Sequence, residues 1–221
     1  IIFGVLDTAE LAHWCLNNDS EHEVVAFTIH KKFMNHKVFK ELPVVPFEDL
    51  EKIYPPNDHY LFAPMTGKGM NSIRRKVYLE GKSKGYDYIS YISSKAIVSN
   101  NEIGENCFIL EGNNIQPFTK IGNNIVMWSG NHIGHHGNIK DHTFFTSHVV
   151  LSGHCIVESY CFLGVNSTIR DYTHLRKGVL LGMGACLTSQ KTDEWGVYIG
   201  NPAKKIKFKK IIIDEKVSKV S

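Results

Sequence analysis

The stretch "IGNNIVMWSGNHIGHHGNIKDHTFFTSHVVL", Ile121–Leu151, carries an apolar residue at every sixth position: Ile121, Met127, Ile133, Ile139, Phe145 and Leu151. Outward from it, the same phase takes in Ile97, Ile103, Ile109 and Ile115 on one side. On the other it takes in Val157, Leu163, Ile169, Leu175, Leu181 and Leu187. Sixteen apolar residues in sixteen steps, from a chain that is 43% hydrophobic, would arise by chance on the order of once in a million.

A second slot lies four residues after each of these positions and favours small or narrow side chains. Its occupants include Cys107, Asn113, Thr119, Gly137, Thr143, Val149, Cys155, Cys161, Ser167 and Ala185. Gly104, Gly122, Gly134, Gly164 and Gly182 directly follow their apolar positions. A period of six fits neither a helix nor a simple strand. It fits a short strand and a tight corner repeated around a triangular prism, with the long aliphatic inward and the small residue at the corner. Three hexads make one coil of eighteen residues, so Ile97 to Cys186 spans five coils. The predicted fold is a mainly β parallel β-helix.

The chain before the repeat reads differently. Apolar runs at "IIFGV", "EVVAFTI", "HYLFAPM" and "YDYISYI" alternate with helical spacing in "TAELAHWCL", "PFEDLEKIY" and "NSIRRKVYLEGKSKG". Alternating strands and helices imply a small parallel α/β unit, Rossmann-like in plan. The expected division is residues 1–92 for this unit, 93–190 for the β-helix and 191–221 for a loop, a strand and a basic tail. The tail reads as solvated, with some packing through its "IKF" and "III" segments.

Composition narrows the function. A formal charge of +3 and no basic stripe with interleaved aromatics argue against nucleic acid. No apolar run approaches the ~20 residues of a membrane helix, and the first residues lack a cationic start, so no membrane insertion and a cytoplasmic location are expected. Five cysteines, without a CxxC pair, read as reduced thiols filling small buried slots.

Histidines crowd the repeat at positions 132, 135, 136, 142, 148 and 154. His142, His148 and His154 recur at six-residue steps, and His136 and His154, eighteen apart, should stack on adjacent coils. An imidazole titrating near neutrality suits a general base, and also a zinc ligand.

The hexads, the histidine-bearing coil and the closing "YIGNPAK" at Tyr198–Lys204 resemble bacterial hexapeptide-repeat sugar acyltransferases of the sialic-acid O-acetyltransferase and bacillosamine N-acetyltransferase type. The resemblance runs over nearly the whole chain. It implies left-handed coiling, a homotrimer, acetyl-CoA in the groove between neighbouring prisms, and a nucleotide-sugar acceptor held partly by the α/β unit. The implied activity is acetyl transfer without an acyl-enzyme, in the synthesis of bacterial surface glycans such as lipopolysaccharide O-antigen. It places the general base at His135 and puts His136 where relatives often carry an acidic residue that orients it. Asp141 or a neighbouring subunit is then an alternative orienting partner. Phe144, Val165 and Met183 match CoA positions, with Gly153 the candidate for backbone stabilisation of the oxyanion. Gly4, Asp7 and the segment around Met65 are the acceptor-side candidates. Leu6 and His30 depart from the family pattern, which usually has a glycine and an acidic residue there. Two other readings stay open. One is a zinc enzyme like the γ-type carbonic anhydrases, although no two of the six histidines have the five-residue spacing those use. The other is a non-catalytic trimer that binds a sugar nucleotide.

Overall fold

The residues that set the six-residue beat also set the coil. In a computed structural model describing residues 1–207, the chain from Tyr91 climbs a triangular prism of two-residue strands that pair in parallel, one coil above another. The first face holds Tyr91–Ile92, Phe108–Ile109, Val126–Met127, Phe144–Phe145, Phe162–Leu163, Leu180–Leu181 and Val197–Ile199, and is closed by the antiparallel Lys204–Ile206. The second face holds Ile97–Val98, Asn114–Ile115, His132–Ile133, Val150–Leu151, Thr168–Ile169 and Cys186–Leu187. The third holds Lys120–Ile121, Asn138–Ile139, Ile156–Val157 and His174–Leu175. The fold is a left-handed β-helix behind a small α/β unit.

The aliphatic run from Ile109 to Leu187 forms one continuous core with the small-slot residues Cys107, Val149, Cys155, Cys161 and Ala185. Each inward aliphatic contributes about 1.5–3 kcal/mol by leaving water. The cysteines are buried in this core, and burial pushes the Cys107 thiol up to about 11 and the Cys161 thiol up to about 12. Neither is a nucleophile at neutral pH.

The corners explain the polar residues. At every sixth position from Asn106 to Gly184 the backbone has positive φ, in the left-handed region. The occupants are Asn, His, Gly and the three aromatics Phe118, Tyr160 and Tyr172, with no β-branched side chain among them. Asn and His tolerate this region better than most L residues, and branching at Cβ tolerates it worst. His136, His142, His148 and His154 are therefore corner residues, with φ of 55°, 63°, 58° and 58°.

One expectation from the period fails in the first coil. Ile97 pairs with Asn114 and Val98 with Ile115, an offset of seventeen, whereas Ile103 pairs with Ile121 at eighteen. Val98, not Ile97, therefore occupies the inward slot, and Ile97 is 62% exposed. The corner is one residue short, and the chance apolarity of Ile97 hid it.

In the α/β unit, β1 (Ile2–Phe3), β2 (Phe27–Ile29) and β4 (Leu42–Pro46) pair in parallel, with β3 (Val38–Phe39) antiparallel at the edge, in the order β1-β2-β4-β3. The β3–β4 hairpin was not foreseen, because "KVFKELPVVP" has no clean alternation. The expected "HYLFAPM" strand is reduced to single bridges, Leu61 to Tyr88 and Phe62 to Ile2. Helices α1 (Asp7–Asp19), α2 (Leu50–Ile53) and α3 (Ser72–Ser83) complete the unit. No described helix is long and apolar enough to cross a membrane.

The unit packs on the first face. Phe62, Tyr91, Phe108, Val126 and Phe144 share a core with Ile2, Leu16 and Phe27. Asp19, at the end of α1, accepts from Tyr91 Oη (2.7 Å) and Ser94 N (2.9 Å). From α3, Arg74 is fully buried and donates to the carbonyls of Thr143 (3.1 Å) and Met65 (3.3 Å), over the Phe144 ring. Burial lowers its pKa to about 9, which leaves it charged at neutral pH. The expected packing of Ile211–Ile213 lies outside the described residues.

Candidate active site

The edge between the second and third faces carries His135, His136 and His154. Two coils of it place His135 and His136 below Gly153 and His154. The stacked corner residues form a ladder of rings. Phe118 and His136 are 4.7 Å apart between centroids, His136 and His154 are 5.0 Å apart, and His154 and Tyr172 are 4.6 Å apart and nearly parallel. Identical backbone geometry repeated at eighteen residues produces this stacking.

His135 stands one residue before the corner, so its ring leaves the ladder and lies perpendicular to those of His136 and His154, 5.1 Å from each. Its Nδ1 is 3.0 Å from His136 Nδ1, a hydrogen bond in which one ring donates and the other accepts. His135 N donates to Gln116 Oε1 (3.2 Å). The ring rests on Gly153. A Cβ built there would meet His135 Cε1 at 2.9 Å and Nε2 at 3.1 Å. Among the described residues no acceptor takes the Gly153 N–H.

His136 is thus the residue bonded to the His135 ring, and Asp141 is not. The Asp141 carboxylate accepts from Asn123 N (2.8 Å) on the edge between the third and first faces. His142, on that same edge, is also set apart. Its Nδ1 accepts from Asn124 Nδ2 (2.9 Å), and burial lowers its pKa to about 4. It stays neutral and enclosed.

The other expected residues fall into three places. Val165 and Met183 lie on the edge between the first and second faces, one coil apart, and Met183 is 78% exposed. Within one chain, the second face separates them from His135. The Phe144 side chain is buried against the α/β unit, stacked on Phe162 and under Arg74, which leaves its backbone as the part open to the expected CoA contact.

Gly4, Met65 and His30 gather at the carboxyl end of the parallel strands, where open α/β sheets hold ligands. Gly4 has φ +118°, which only glycine adopts readily, and its N–H is taken by Thr28 O (2.8 Å). Asp7 is exposed at the first turn of α1, favourable to the helix dipole. Leu6 is exposed and gives α1 no side-chain cap. His30 lies between Glu48 (3.4 Å) and Glu80 (3.6 Å), so the acidic charge expected near this strand end comes from other elements. The stacking of His136 and His154 expected from their eighteen-residue spacing is present, whereas Gln116, nineteen residues before His135, was not among the expected residues.

His135, His136 and His154 could also hold a metal ion, since one ligand atom from each lies within 4.8 Å of the others.

No protein-family model matches the chain. It is 30% identical over 107 residues to an acyl-[acyl-carrier-protein]–UDP-N-acetylglucosamine O-acyltransferase of Sinorhizobium fredii, a match covering 45% of this chain and 39% of that protein. Solved structures align over far more of it. A variant of the GDP-perosamine N-acetyl transferase of Caulobacter crescentus, in complex with CoA and GDP-perosamine, superposes with a TM-score of 0.83 at 20% identity, over 94% of this chain and 96% of that one. The acetyltransferase domain of PglB from Neisseria gonorrhoeae, in complex with acetyl coenzyme A, gives 0.79 at 17% identity over 93% and 97%. WeeI of Acinetobacter baumannii gives 0.77 at 20% identity over 93% and 98%. These likenesses establish the shared fold, an α/β unit followed by the β-helix.

Proposed function

We propose that the protein is an acetyl-CoA-dependent acetyltransferase acting on a nucleotide-linked amino sugar or related sugar, and that it works as a homotrimer. One observation carries the reading: His135 is exposed, bonded to His136 through Nδ1, and its ring lies against Gly153, where there is no side chain. Similarity to acetyltransferases crystallised with CoA or acetyl coenzyme A supports the donor. The GDP-sugar of the Caulobacter enzyme supports the acceptor class.

The thioester, when bound, supplies an activated acyl carbon. The remaining work belongs to the chain. With Nδ1–H donating to His136 Nδ1, the lone pair of His135 is on Nε2, where it accepts the proton lost by the sugar nitrogen or oxygen as that atom bonds to the acyl carbon. The imidazolium returns the proton to the departing sulfur, so no acyl-enzyme forms. We assign to the Gly153 N–H, which no described residue accepts, the stabilisation of negative charge building on the acyl oxygen.

A single chain does not bring Met183 or the carboxyl end of the α/β sheet to His135. A second copy would. The edge carrying His135 is flanked by the exposed apolar side chains Phe118, Val150, Ile156 and Tyr172, suited to a neighbouring prism.

The test is thiol release from acetyl-CoA with a panel of nucleotide amino sugars. Turnover with at least one acceptor is expected, and His135→Ala should lower it by about two orders of magnitude or more. Near-normal turnover in that variant would remove His135 as the base.

A further inference from the structure

We propose that His135, His136 and His154 form a site for a divalent first-row transition ion of the zinc class, and that its occupation shuts off acetyl transfer. The second half rests on the proposed transferase activity; the first does not.

Three imidazoles are a sufficient protein ligand set for zinc, with water completing a tetrahedron. At zinc–nitrogen distances of about 2.0–2.1 Å, two nitrogens on one ion sit about 3.3 Å apart. His135 Nδ1 and His136 Nδ1 are already 3.0 Å apart, and one ligand nitrogen from each of the three rings lies within 4.8 Å of the other two. Closing the remaining distance, about 1.5 Å at most, takes rotations of ring side chains. The backbone under them is fixed, because His136 and His154 are equivalent corners on successive coils with φ of 55° and 58°. His135 is perpendicular to both rings, 5.1 Å from each between centroids, and its Nδ1 is turned to His136.

Binding disables the base whichever nitrogen it uses. If the ion takes His135 Nε2, the lone pair that accepts the proton is gone. If it takes Nδ1, the ring proton must move to Nε2, and that nitrogen becomes a donor. Neither route changes the number of protons on the neutral ring, so the block reverses when the ion leaves. A carboxylate at position 136 would hold His135 equally well but give a harder donor set. The histidine at 136 is what makes the site selective for soft-to-borderline ions.

Calorimetric titration of metal-free protein with zinc chloride alone tests the site. One ion per chain is expected. His136→Asn and His154→Asn should each weaken it about tenfold or more, because loss of a ligand costs at least what loss of a supporting residue does. Asparagine keeps the corner, as it does at Asn106, Asn124 and Asn166. His148→Asn, on a different edge, should leave the affinity unchanged. Absent binding, unchanged binding in His154→Asn, or an equal loss in His148→Asn overturns the site. In the acetyl-transfer assay zinc should inhibit, and His154→Asn should need about tenfold more of it. Turnover that requires zinc overturns the inhibitory role. Lack of turnover in chelator-treated enzyme, with the titration as expected, would count against the transferase reading and leave the ion site standing.

Discussion

At the residue scale, His135 and Gly153 define each other. The imidazole can lie flat against the coil above only because position 153 has no Cβ. The backbone there is not in the left-handed region, so alanine would be conformationally acceptable, and its methyl would act on the ring alone. Gly153→Ala should therefore push His135 Cε1 and Nε2 outward by a fraction of an ångström while the fold stays intact. A catalytic group displaced on this scale costs about 10–100-fold in rate. We expect kcat to fall by that factor with KM little changed, and an unchanged thermal midpoint to show that folding is not the cause. A rise in KM with kcat unchanged would place Gly153 in binding rather than in proton transfer.

At the element scale, the corner is the unit that decides which residues the prism accepts. On the edge between the third and first faces, Asn106 Nδ2 donates to Asn124 Oδ1 (2.8 Å) and Asn124 Nδ2 donates to His142 Nδ1 (2.9 Å). The ladder ends on the α/β unit, where Ala63 N donates to Asn106 Oδ1 (2.8 Å). Protonating His142 would set a donor against the Asn124 donor, in an enclosed place beside Tyr78 and Tyr160. Burial and the nearby Arg74 and Arg75 favour the neutral ring, against the opposing charge of Asp141. The folded pKa of about 4 lies below the ordinary 6.5, so the unfolded chain takes up this proton first as pH falls. Stability from this ring is complete above pH 6.5 and is lost between 6.5 and 4, by about 3 kcal/mol at most. Urea unfolding at pH 7 and pH 5 should show the slope, and His142→Asn should flatten it. Asp19 acts at lower pH, because hydrogen bonds from Ser94, Tyr91 and Ser93 hold its carboxyl below the usual carboxylate range. The sequence showed the coil because inward positions have one requirement, apolarity, repeated at constant spacing. It hid the corner chemistry, since Asn, Gly, His and Tyr share no polarity class, only tolerance of positive φ. It did not show that the Phe144 side chain is covered, because spacing gives a residue's coil and face but not what packs on that face. The one-residue slip at Ile97 was invisible because its replacement, Val98, is apolar as well.

At the scale of the whole molecule, the proposed division of the site over separate edges has a consequence that subunit mixing can measure. His135 stands on the edge between the second and third faces, while Met183 is exposed on the edge between the first and second. If a productive site joins these edges from two neighbouring copies, a defect on one edge can be complemented by a subunit defective only on the other. His135→Ala and Met183→Asp homotrimers should each be weakly active, and light scattering should give three chain masses for both. In co-expressed trimers assembled at random from equal amounts, about one junction in four pairs an intact His135 edge with an intact Met183 edge. Turnover in the mixture should therefore recover to about a quarter of the unaltered enzyme's. Recovery is expected only after co-expression, not after mixing of preformed trimers that do not exchange. A mixture no more active than its parents would mean that each chain completes its own site, and a monomer by light scattering would remove the shared groove altogether.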